Sequence, residues 1–325
     1  MKKILKILIA MVIILIITII CYEVYEYFVK IDQENLTQNE TQEEVKNENE
    51  IMDQEPIFSL ENYPKVDASL ATQPLTDAFI KNFTGETEIS EEYLDYTNTH
   101  PGYIRLIDGE VDLIVVTEPS EEELEYAEEK DVELEIMPVV REGFVFYVNE
   151  KNPVSNLTLE QIQDIYTGEI TNWQELGGND EEIRAFQRPE NSGSQTGMLS
   201  LVMKDKKIME PIKEDLIESM FEIIDLVSDY DNGLNSIGYS YYYYATTMFD
   251  TIDASIADKI KLLEINGIAP TNETIKNEEY PLETAYYIVY RKDEPEDSDV
   301  RKLAEAMLST RGQKVAEEAG YVGVK

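Results

Sequence analysis

Short apolar runs alternate with longer amphipathic stretches from residue 57 to the C-terminus. Apolar runs of a few residues favour strands, whereas apolar positions spaced by three and four favour helices. The pattern predicts strands over 111–116, 134–140, 143–148 and 285–290, and helices over 75–83, 121–129, 159–166, 212–226 and 299–308. Such alternation is typical of an α/β fold with a largely parallel sheet.

The N-terminus carries the pattern of a membrane segment. Three lysines among the first six residues precede the uncharged run 7–22, which is mostly Ile, Leu and Val. Cations before an apolar run are typical of an export signal whose N-terminus stays inside the cell. We therefore expect residues 1–30 to form an uncleaved signal anchor. Lipidation at Cys21 and a cleaved secretory signal are the alternatives.

Residues 31–56 differ in composition from the rest of the chain. They contain nine acidic residues and a single basic one, Lys46, and they are rich in Asn and Gln. Such a segment cannot bury enough apolar surface to fold, and its like charges repel one another. The sequence therefore predicts a disordered acidic tether between the membrane segment and a folded part.

Composition excludes several classes of function. The chain has 67 Asp and Glu against 27 Lys and Arg, a net charge of −40, so a nucleic-acid partner would be repelled. One cysteine allows no internal disulfide and no thiolate metal site. With His100 as the only histidine, zinc catalysis and a Ser-His-Asp triad are disfavoured. We expect no metal and no cofactor.

The segment 188–196 has the composition of an anion site. Arg188 can grip two oxygens of a phosphate or carboxylate, and Ser192, Ser194 and Thr196 add hydroxyl donors. Gly193 lets the backbone approach a ligand closely. A helix-like run follows, and a helix N-terminus presents unpaired N–H groups to an anion. A capped helix beside a surface arginine is the alternative.

The segments around this site resemble the phosphate-binding proteins of ABC importers, within the periplasmic-binding-protein-like superfamily. Upstream stands Leu-Thr-Leu-Glu-Gln-Ile-Gln-Asp-Ile-Tyr-Thr-Gly followed by Glu-Ile-Thr-Asn-Trp, and the tail reads Ser-Thr-Arg-Gly-Gln-Lys-Val-Ala-Glu-Glu-Ala-Gly-Tyr. The motifs that carry the resemblance lie at 63–75, 157–178, 236–239 and 308–322. They follow the family's order and span about residues 60 to 325.

The resemblance implies a two-lobe periplasmic-binding-protein-like α/β fold, with a ligand cleft between the lobes and the N-terminal membrane helix in front. Lobe one would comprise 57–139 and 285–325, and lobe two 140–284. Two chain crossings, near 138–148 and 280–289, would join them. Ligands of open α/β sheets bind at the carboxyl ends of the strands, which fits such a cleft.

The first anion-binding turn of the family corresponds to Ser69, Ala71 and Thr72. Two positions depart from the family pattern, since Ala68 stands where glycine is commoner and Leu70 where threonine is commoner. One hydroxyl is therefore missing from this turn. Helix capping is the alternative role of the serine and the threonine.

Two further turns complete the site that the resemblance implies. Thr99 occupies the position of a family serine, and the neighbouring His100 is either an ordinary loop residue or a pH-dependent donor. The third turn matches the family pattern most closely and supplies Arg188, Ser192, Gly193 and Ser194.

Phosphate selectivity adds a requirement. Phosphate near pH 7 carries a proton and sulfate does not, so a phosphate-selective site needs an acceptor, usually a carboxylate. Thr117 stands where the family has an aspartate, and Glu118 follows one residue later. We expect Glu118 to supply the acceptor, with Asp67 in reserve. An exposed or helix-capping Glu118 is the alternative.

These observations favour an extracytoplasmic solute-binding protein, held at the cell membrane, that captures inorganic phosphate and delivers it to ABC permease subunits. A membrane-tethered anion sensor, or a binder of another oxyanion such as sulfate, is the alternative. An enzyme is disfavoured, because the residues around Ser192 and Ser194 do not form a Gly-x-Ser-x-Gly elbow.

Overall fold

The computed structural model describes residues 55–90, 93–229, 233–248 and 258–325. The predicted membrane segment and the predicted tether up to residue 54 lie outside these ranges. Within the described part of the chain, every helix is too short or too polar to cross a bilayer.

Nine α-helices occur among the described residues. They are α1 (Gln73–Thr84), α2 (Thr99–Ile107), α3 (Glu121–Glu129), α4 (Leu159–Thr167), α5 (Gly193–Gly197), α6 (Met220–Ser228), α7 (Asn272–Lys276), α8 (Asp299–Leu308) and α9 (Thr310–Glu318). A π-helical stretch, Met198–Met203, continues α5, and another covers Tyr244–Met248. Short 3₁₀ turns lie at Leu60–Asn62, Leu70–Thr72, Trp173–Leu176 and Lys213–Asp215.

The strands of the described residues form one large mixed sheet and one small pair. They are β1 (Val66–Ala68), β2 (Leu94–Asp95), β3 (Leu113–Val116), β4 (Leu134–Asn149), β5 (Asn156–Leu157), β6 (Arg184–Ala185), β7 (Ser236–Tyr241), β8 (Ile260–Leu262), β9 (Glu264–Ile265), β10 (Glu283–Arg291) and β11 (Val322–Gly323). The main order is β2-β1-β3-β10-β4-β7-β6, with β8 and β11 also on β4, while β5 pairs with β9.

The long strand β4 belongs to both halves of the sheet. Its first part, up to Gly143, pairs with β10, and its second part, from Phe144, pairs with β7 and β8. We call the layers built on β2-β1-β3-β10 and the first part of β4 the first lobe. The layers built on the second part of β4 with β7, β6 and β8 form the second lobe. The predicted two-lobe α/β fold is therefore present.

The prediction of a largely parallel sheet was wrong. Strand β10 runs antiparallel to β3 and β4, and β4 runs antiparallel to β7, β8 and β11. Parallel pairing is confined to β1 with its two neighbours, β6 with β7, and β5 with β9. An apolar run does not reveal strand direction, so the sequence pattern could not distinguish the two arrangements.

Local signals set the helix ends that the sequence predicted well. Ser120 caps α3, with its hydroxyl accepting from the Glu123 N–H and the Glu123 carboxylate accepting from the Ser120 N–H. Thr158 and Gln161 form the same capping box before α4, which ends at the left-handed Gly168. These pairings satisfy the unpaired N–H groups of a first turn, which explains the close agreement of the predicted bounds.

Two predicted strands and one predicted helix differ from the structure. Strands 134–140 and 143–148 are one strand, because Glu142 is buried and its carboxylate accepts from the Gly143 and Tyr243 N–H groups instead of interrupting the strand. Helix 212–226 begins only at Met220. Before it, the chain pairs with the segment after β6, with an N–H from Gln187 to Asp215 O and one from Ile217 to Gln187 O.

Candidate functional site

A cavity of about 350 Å³ lies where the two lobes face each other. The first lobe contributes the turns after β1, β2 and β3, and the second lobe contributes the start of α5, the segment before α6, and the end of β7 with the residues that follow it. The main polar lining residues are Ser69, Thr97, Asn98, Thr99, His100, Thr117, Arg188, Glu190, Asn191, Ser192, Ser194, Glu218, Ser219, Tyr241 and Tyr244. The position agrees with the rule that ligands bind beyond the carboxyl ends of strands.

The turn after β1 presents one hydroxyl and a backbone segment to the cavity. Ser69 is buried and lines the cavity, and its hydroxyl oxygen lies 3.0 Å from that of Thr72. Thr72 does not line the cavity. It is fully buried, and its hydroxyl donates to Val115 O at 2.6 Å. Ala71 lines the cavity, and its carbonyl accepts from the Tyr321 hydroxyl at 2.7 Å.

The turns after β2 and β3 place two threonines side by side. Thr99 begins α2, where the first N–H groups of a helix have no intrahelical partner. Thr117 follows β3, and its backbone carbonyl accepts from the Tyr103 hydroxyl at 2.9 Å. Both side chains are buried, and their hydroxyl oxygens are 3.4 Å apart. The first lobe thus presents two adjacent groups that can each donate or accept.

His100 lies beside Thr99 on the same cavity wall. Its Nδ1 is 2.9 Å from Oε1 of Glu123, whose side chain is fully buried at the start of α3. Burial raises the pKa of the Glu123 carboxyl, and the contacts with Ser120 and His100 oppose that rise. The histidine is therefore held in place by a buried carboxylate.

The start of α5 contributes the group of donors that the sequence predicted. Ser192 caps α5, and its hydroxyl oxygen accepts from the Gln195 N–H at 3.3 Å. Ser194 is 2% exposed and lines the cavity, and its hydroxyl has no hydrogen-bond partner among the described residues. A buried hydroxyl without a partner costs free energy, and this one belongs to a residue that lines the cavity, so an acceptor bound there would supply the missing partner.

Arg188 is held by its backbone and by one end of its guanidinium. Its N–H donates to the Tyr239 hydroxyl at 2.9 Å, and its Nη2 donates to Glu218 O at 2.7 Å. Burial lowers the pKa of the guanidinium, and nearby tyrosines and Glu218 oppose that shift. Its Nε is buried without a partner among the described residues. The contacts of Arg188 with Tyr239 and Glu218 were not predicted, because they join residues that are 51 and 30 positions apart in the sequence.

Gly193 brings the two lobes into close contact. A β-carbon at this position would lie 2.5 Å from Thr117 Oγ1 and 2.6 Å from Thr99 Oγ1. Real β-carbons do not approach atoms so closely, so only glycine fits here without displacement of the threonines. The Gly193 carbonyl also accepts from the Tyr241 hydroxyl at 2.9 Å. The structure therefore has the start of α5 docked against the first lobe.

Two polar contacts bridge the lobes at the rim of the cavity. The Ser200 hydroxyl donates to the Glu118 carboxylate, and the Asn191 side-chain amide donates to the Glu122 carboxylate. Ser200 and Asn191 lie in the second lobe, and both carboxylates lie in the first. We call these two pairs the rim contacts.

The expected carboxylate acceptors do not face the cavity. Glu118 is absent from the cavity lining and is engaged by Ser200, so the prediction that it points into the cleft was wrong. Asp67 is fully buried, and its carboxylate accepts from the Ala68 and Thr97 N–H groups and pairs with Arg105. Both side chains are satisfied by neighbours that lie far along the sequence or across the cleft, which a linear motif cannot reveal.

The site is therefore a set of hydrogen-bond donors around a guanidinium. Such a set stabilises an anion through charge-assisted hydrogen bonds in a partly desolvated cleft. Among the described residues, no three His, Cys, Asp or Glu side chains are grouped so that they could hold a metal ion.

The PBP superfamily domain matches residues 62–309. The phosphate-binding protein PstS of Borreliella burgdorferi is 28% identical over 191 residues, which cover 57% of this chain and 64% of that protein. PstS of Bacillus subtilis is 26% identical over 260 residues, which cover 80% of each chain.

A solved structure from Clostridium perfringens shares the fold. It is described as a phosphate ABC transporter substrate-binding protein with bound phosphate, and it superposes with a TM-score of 0.61 at 24% identity. The alignment covers 81% of this chain and 100% of that one. The resemblance drawn from the sequence motifs is confirmed at the level of family and fold.

Proposed function

The chain belongs to the PBP superfamily, and from this premise we propose that it is an extracytoplasmic solute-binding protein that captures inorganic phosphate for an ABC permease. The function is binding and release, so no chemical step is assigned to any residue.

One observation carries the proposal. Arg188 Nε and Ser194 Oγ are both buried, both belong to cavity-lining residues, and neither has a hydrogen-bond partner among the described residues. Burying donors without partners costs about 1–3 kcal/mol for each neutral group and more for a charged one. An oxyanion in the cavity would supply the missing acceptors and offset that cost.

The proposed ligand contacts come from both lobes. Ser69, Ala71, Thr99 and Thr117 would act from the first lobe, and Arg188, Ser192, Gly193 and Ser194 from the second. Thr72 has a supporting role, since its hydroxyl positions Ser69 and is bonded to Val115. A ligand that bridges both lobes favours the closed arrangement, because its contacts are complete only when the lobes meet.

The lobe boundaries are part of the proposal. We assign 57–139 with 285–325 to the first lobe and 140–284 to the second, and we count the paired residues 140–143 and 283–284 as the crossing between the lobes. Strand β4 pairs with β10 in the first lobe and with β7 in the second lobe. This pairing supports a hinge where β4 and β10 pass between the lobes. Hinge closure of this kind is one of the common ways in which proteins enclose a ligand.

The choice of phosphate as the ligand and of an ABC permease as the partner is supported by the related proteins. Two curated relatives are phosphate-binding proteins by name, and the Clostridium perfringens structure contains phosphate. The cationic start and apolar run of residues 1–30 support a tether that keeps the binding domain on the extracytoplasmic face of the membrane. Permease subunits in the same membrane would then lie within reach of the domain.

Calorimetric titration of the full chain with phosphate, after purification in detergent and dialysis, tests this proposal. We expect saturable binding of one phosphate per chain, and a loss of at least about 100-fold in affinity for Arg188→Ala, because a buried charged donor would be removed. Arg301→Ala is the matched control, since Arg301 bonds to Glu294 O and Lys292 O away from the cavity.

The control variant Arg301→Ala should lower the free energy of unfolding and leave the phosphate affinity unchanged. An absence of phosphate binding by the unmodified chain would overturn the proposed function. Wild-type affinity in Arg188→Ala would overturn the assignment of the site.

A further inference from the structure

We propose that the cleft does not discriminate between protonated and unprotonated oxyanions, so that sulfate and other unprotonated tetrahedral dianions bind about as tightly as phosphate. The residue that sets this breadth is Thr117. The inference rests on the proposed function, keeps phosphate as a ligand, and widens the ligand class of the same site.

The buried carboxylate of Asp67 in the first lobe is already engaged. Asp67 accepts from the Ala68 N–H at 2.8 Å, from the Thr97 N–H at 2.9 Å and from the Thr97 hydroxyl at 2.6 Å, and it pairs with Arg105. Its lone pairs are therefore occupied within the first lobe. Turning this side chain toward a ligand would break each of these hydrogen bonds.

Two other carboxylates of the first lobe do not line the cavity and bond to neighbouring residues. Glu118 accepts from the Ser200 hydroxyl outside the cavity lining. Glu123 accepts from the Ser120 N–H at 2.8 Å and lies 2.9 Å from His100 Nδ1. The Glu118 carboxylate thus belongs to a contact between the lobes, and the Glu123 carboxylate caps the start of a helix.

Two carboxylates do line the cavity, but both residues are exposed. Glu190 and Glu218 lie at its mouth on the second lobe. An exposed carboxylate keeps its water shell, so facing an unprotonated oxyanion costs it little. Strong discrimination needs a desolvated acceptor, because only a buried lone pair is left without any partner. Among the described lining residues, every acidic side chain is exposed.

The buried polar groups that remain are hydroxyls and a guanidinium. Thr99, Thr117 and Ser194 are 4%, 3% and 2% exposed, and all three line the cavity. A hydroxyl can rotate to donate to an unprotonated oxygen or to accept from a protonated one, whereas a carboxylate can only accept. These side chains therefore fit phosphate and sulfate alike.

Thr117 occupies the position where an acceptor would matter most. Its hydroxyl oxygen lies 3.4 Å from Thr99 Oγ1 and 2.5 Å from the β-carbon position of Gly193, so it sits at the contact between the lobes. A carboxylate here would be buried and would face the ligand directly. Because residue 117 is a threonine, this position holds a hydroxyl, which can donate or accept, in place of a carboxylate, which can only accept.

The test measures the ratio of sulfate to phosphate dissociation constants by calorimetry on the full chain at pH 7. We compare the unmodified protein with Thr117→Asp and with Thr117→Asn, which matches Asp in shape but lacks its charge. For the unmodified protein we expect a ratio within about tenfold of one. Thr117→Asp should raise the ratio by about 100-fold through loss of sulfate binding, and Thr117→Asn should not.

A preference of the unmodified protein for phosphate greater than about 100-fold would overturn the inference while leaving the proposed function intact. Binding of neither anion would instead remove the proposed function. A sulfate affinity that drops equally in both variants would assign the effect to shape and would overturn the role of Thr117. The wild-type ratio decides the inference even where a variant fails to fold.

Discussion

Gly193 and Thr117 meet across the cleft so closely that a β-carbon at Gly193 would lie 2.5 Å from the threonine hydroxyl oxygen. The two residues belong to different lobes and are distant in the sequence. Their approach defines the closed arrangement of the site, because the start of α5 can dock onto the first lobe only where no side chain intervenes.

Gly193→Ala should therefore weaken phosphate binding by about 10- to 100-fold, the range expected from overpacking by one methyl group. The added carbon would push α5 away from Thr99 and Thr117 and hold the cleft partly open. Titration calorimetry measures the loss. Gly102→Ala is the control, because a β-carbon there would meet Val116 and Ile114 at ordinary distances of 3.8 and 3.9 Å. Equal effects of the two substitutions would contradict this account of closure.

Ser194→Ala should reduce phosphate affinity by about 10-fold or more without lowering the free energy of unfolding. The Ser194 hydroxyl has no partner among the described residues, so its removal breaks no hydrogen bond within them, whereas a hydrogen bond to a charged ligand is worth about 1.5–3 kcal/mol. Ser236→Ala provides a matched control, since its hydroxyl is also buried without a partner but lies outside the cavity lining. Unchanged affinity in Ser194→Ala would show that this hydroxyl does not contact the ligand.

The rim contact between Ser200 and Glu118 should slow ligand release. An ion–hydroxyl contact near the surface is worth roughly 0.2–1 kcal/mol, so Ser200→Ala should accelerate phosphate dissociation by about 1.4- to 5-fold, with little change in the association rate. Stopped-flow displacement measures both rates, and a double-mutant cycle with Glu118→Gln isolates the pair. The sulfate-to-phosphate ratio should stay constant in these variants. A changed ratio would mean that Glu118 reaches the ligand after all.

Glu142 should make stability depend on pH. Burial raises the pKa of its carboxyl to about 8, although three backbone N–H groups, those of Gly143, Tyr242 and Tyr243, oppose the rise. Between the unfolded value of about 4.3 and this folded value, the folded chain holds a proton that the unfolded chain has lost. The contribution to stability is therefore full below about pH 4 and falls as pH rises through this window.

Denaturant unfolding at pH 5 and pH 8 checks this prediction against Glu142→Gln, which keeps an acceptor oxygen but has no proton to lose. The free energy of unfolding of the unmodified protein, relative to the variant, should fall by up to about 4 kcal/mol over this range, at about 1.4 kcal/mol per pH unit. Because the other carboxylates titrate in both proteins, the difference isolates residue 142. A difference that is constant with pH would contradict the raised pKa.

The sequence by itself determined the features that depend on neighbours within a few residues. The bounds of α3 and α8 were predicted to the residue, because capping side chains and apolar spacing act within one or two helical turns. The hydrogen-bond donors from Arg188 to Ser194 were also predicted together, because they lie in one short segment of the chain. Family membership followed from motifs of the same local kind.

Only the tertiary structure decided which groups meet across the cleft and in which direction the strands run. Glu118 was expected in the cavity but is bonded to Ser200 in the other lobe, and Asp67 is bonded to Thr97 and Arg105. The antiparallel course of β10 was likewise invisible in its apolar run. In each case the deciding partner lies far along the chain. The position of such a side chain or strand is set by its tertiary contacts and not by its neighbours in the sequence.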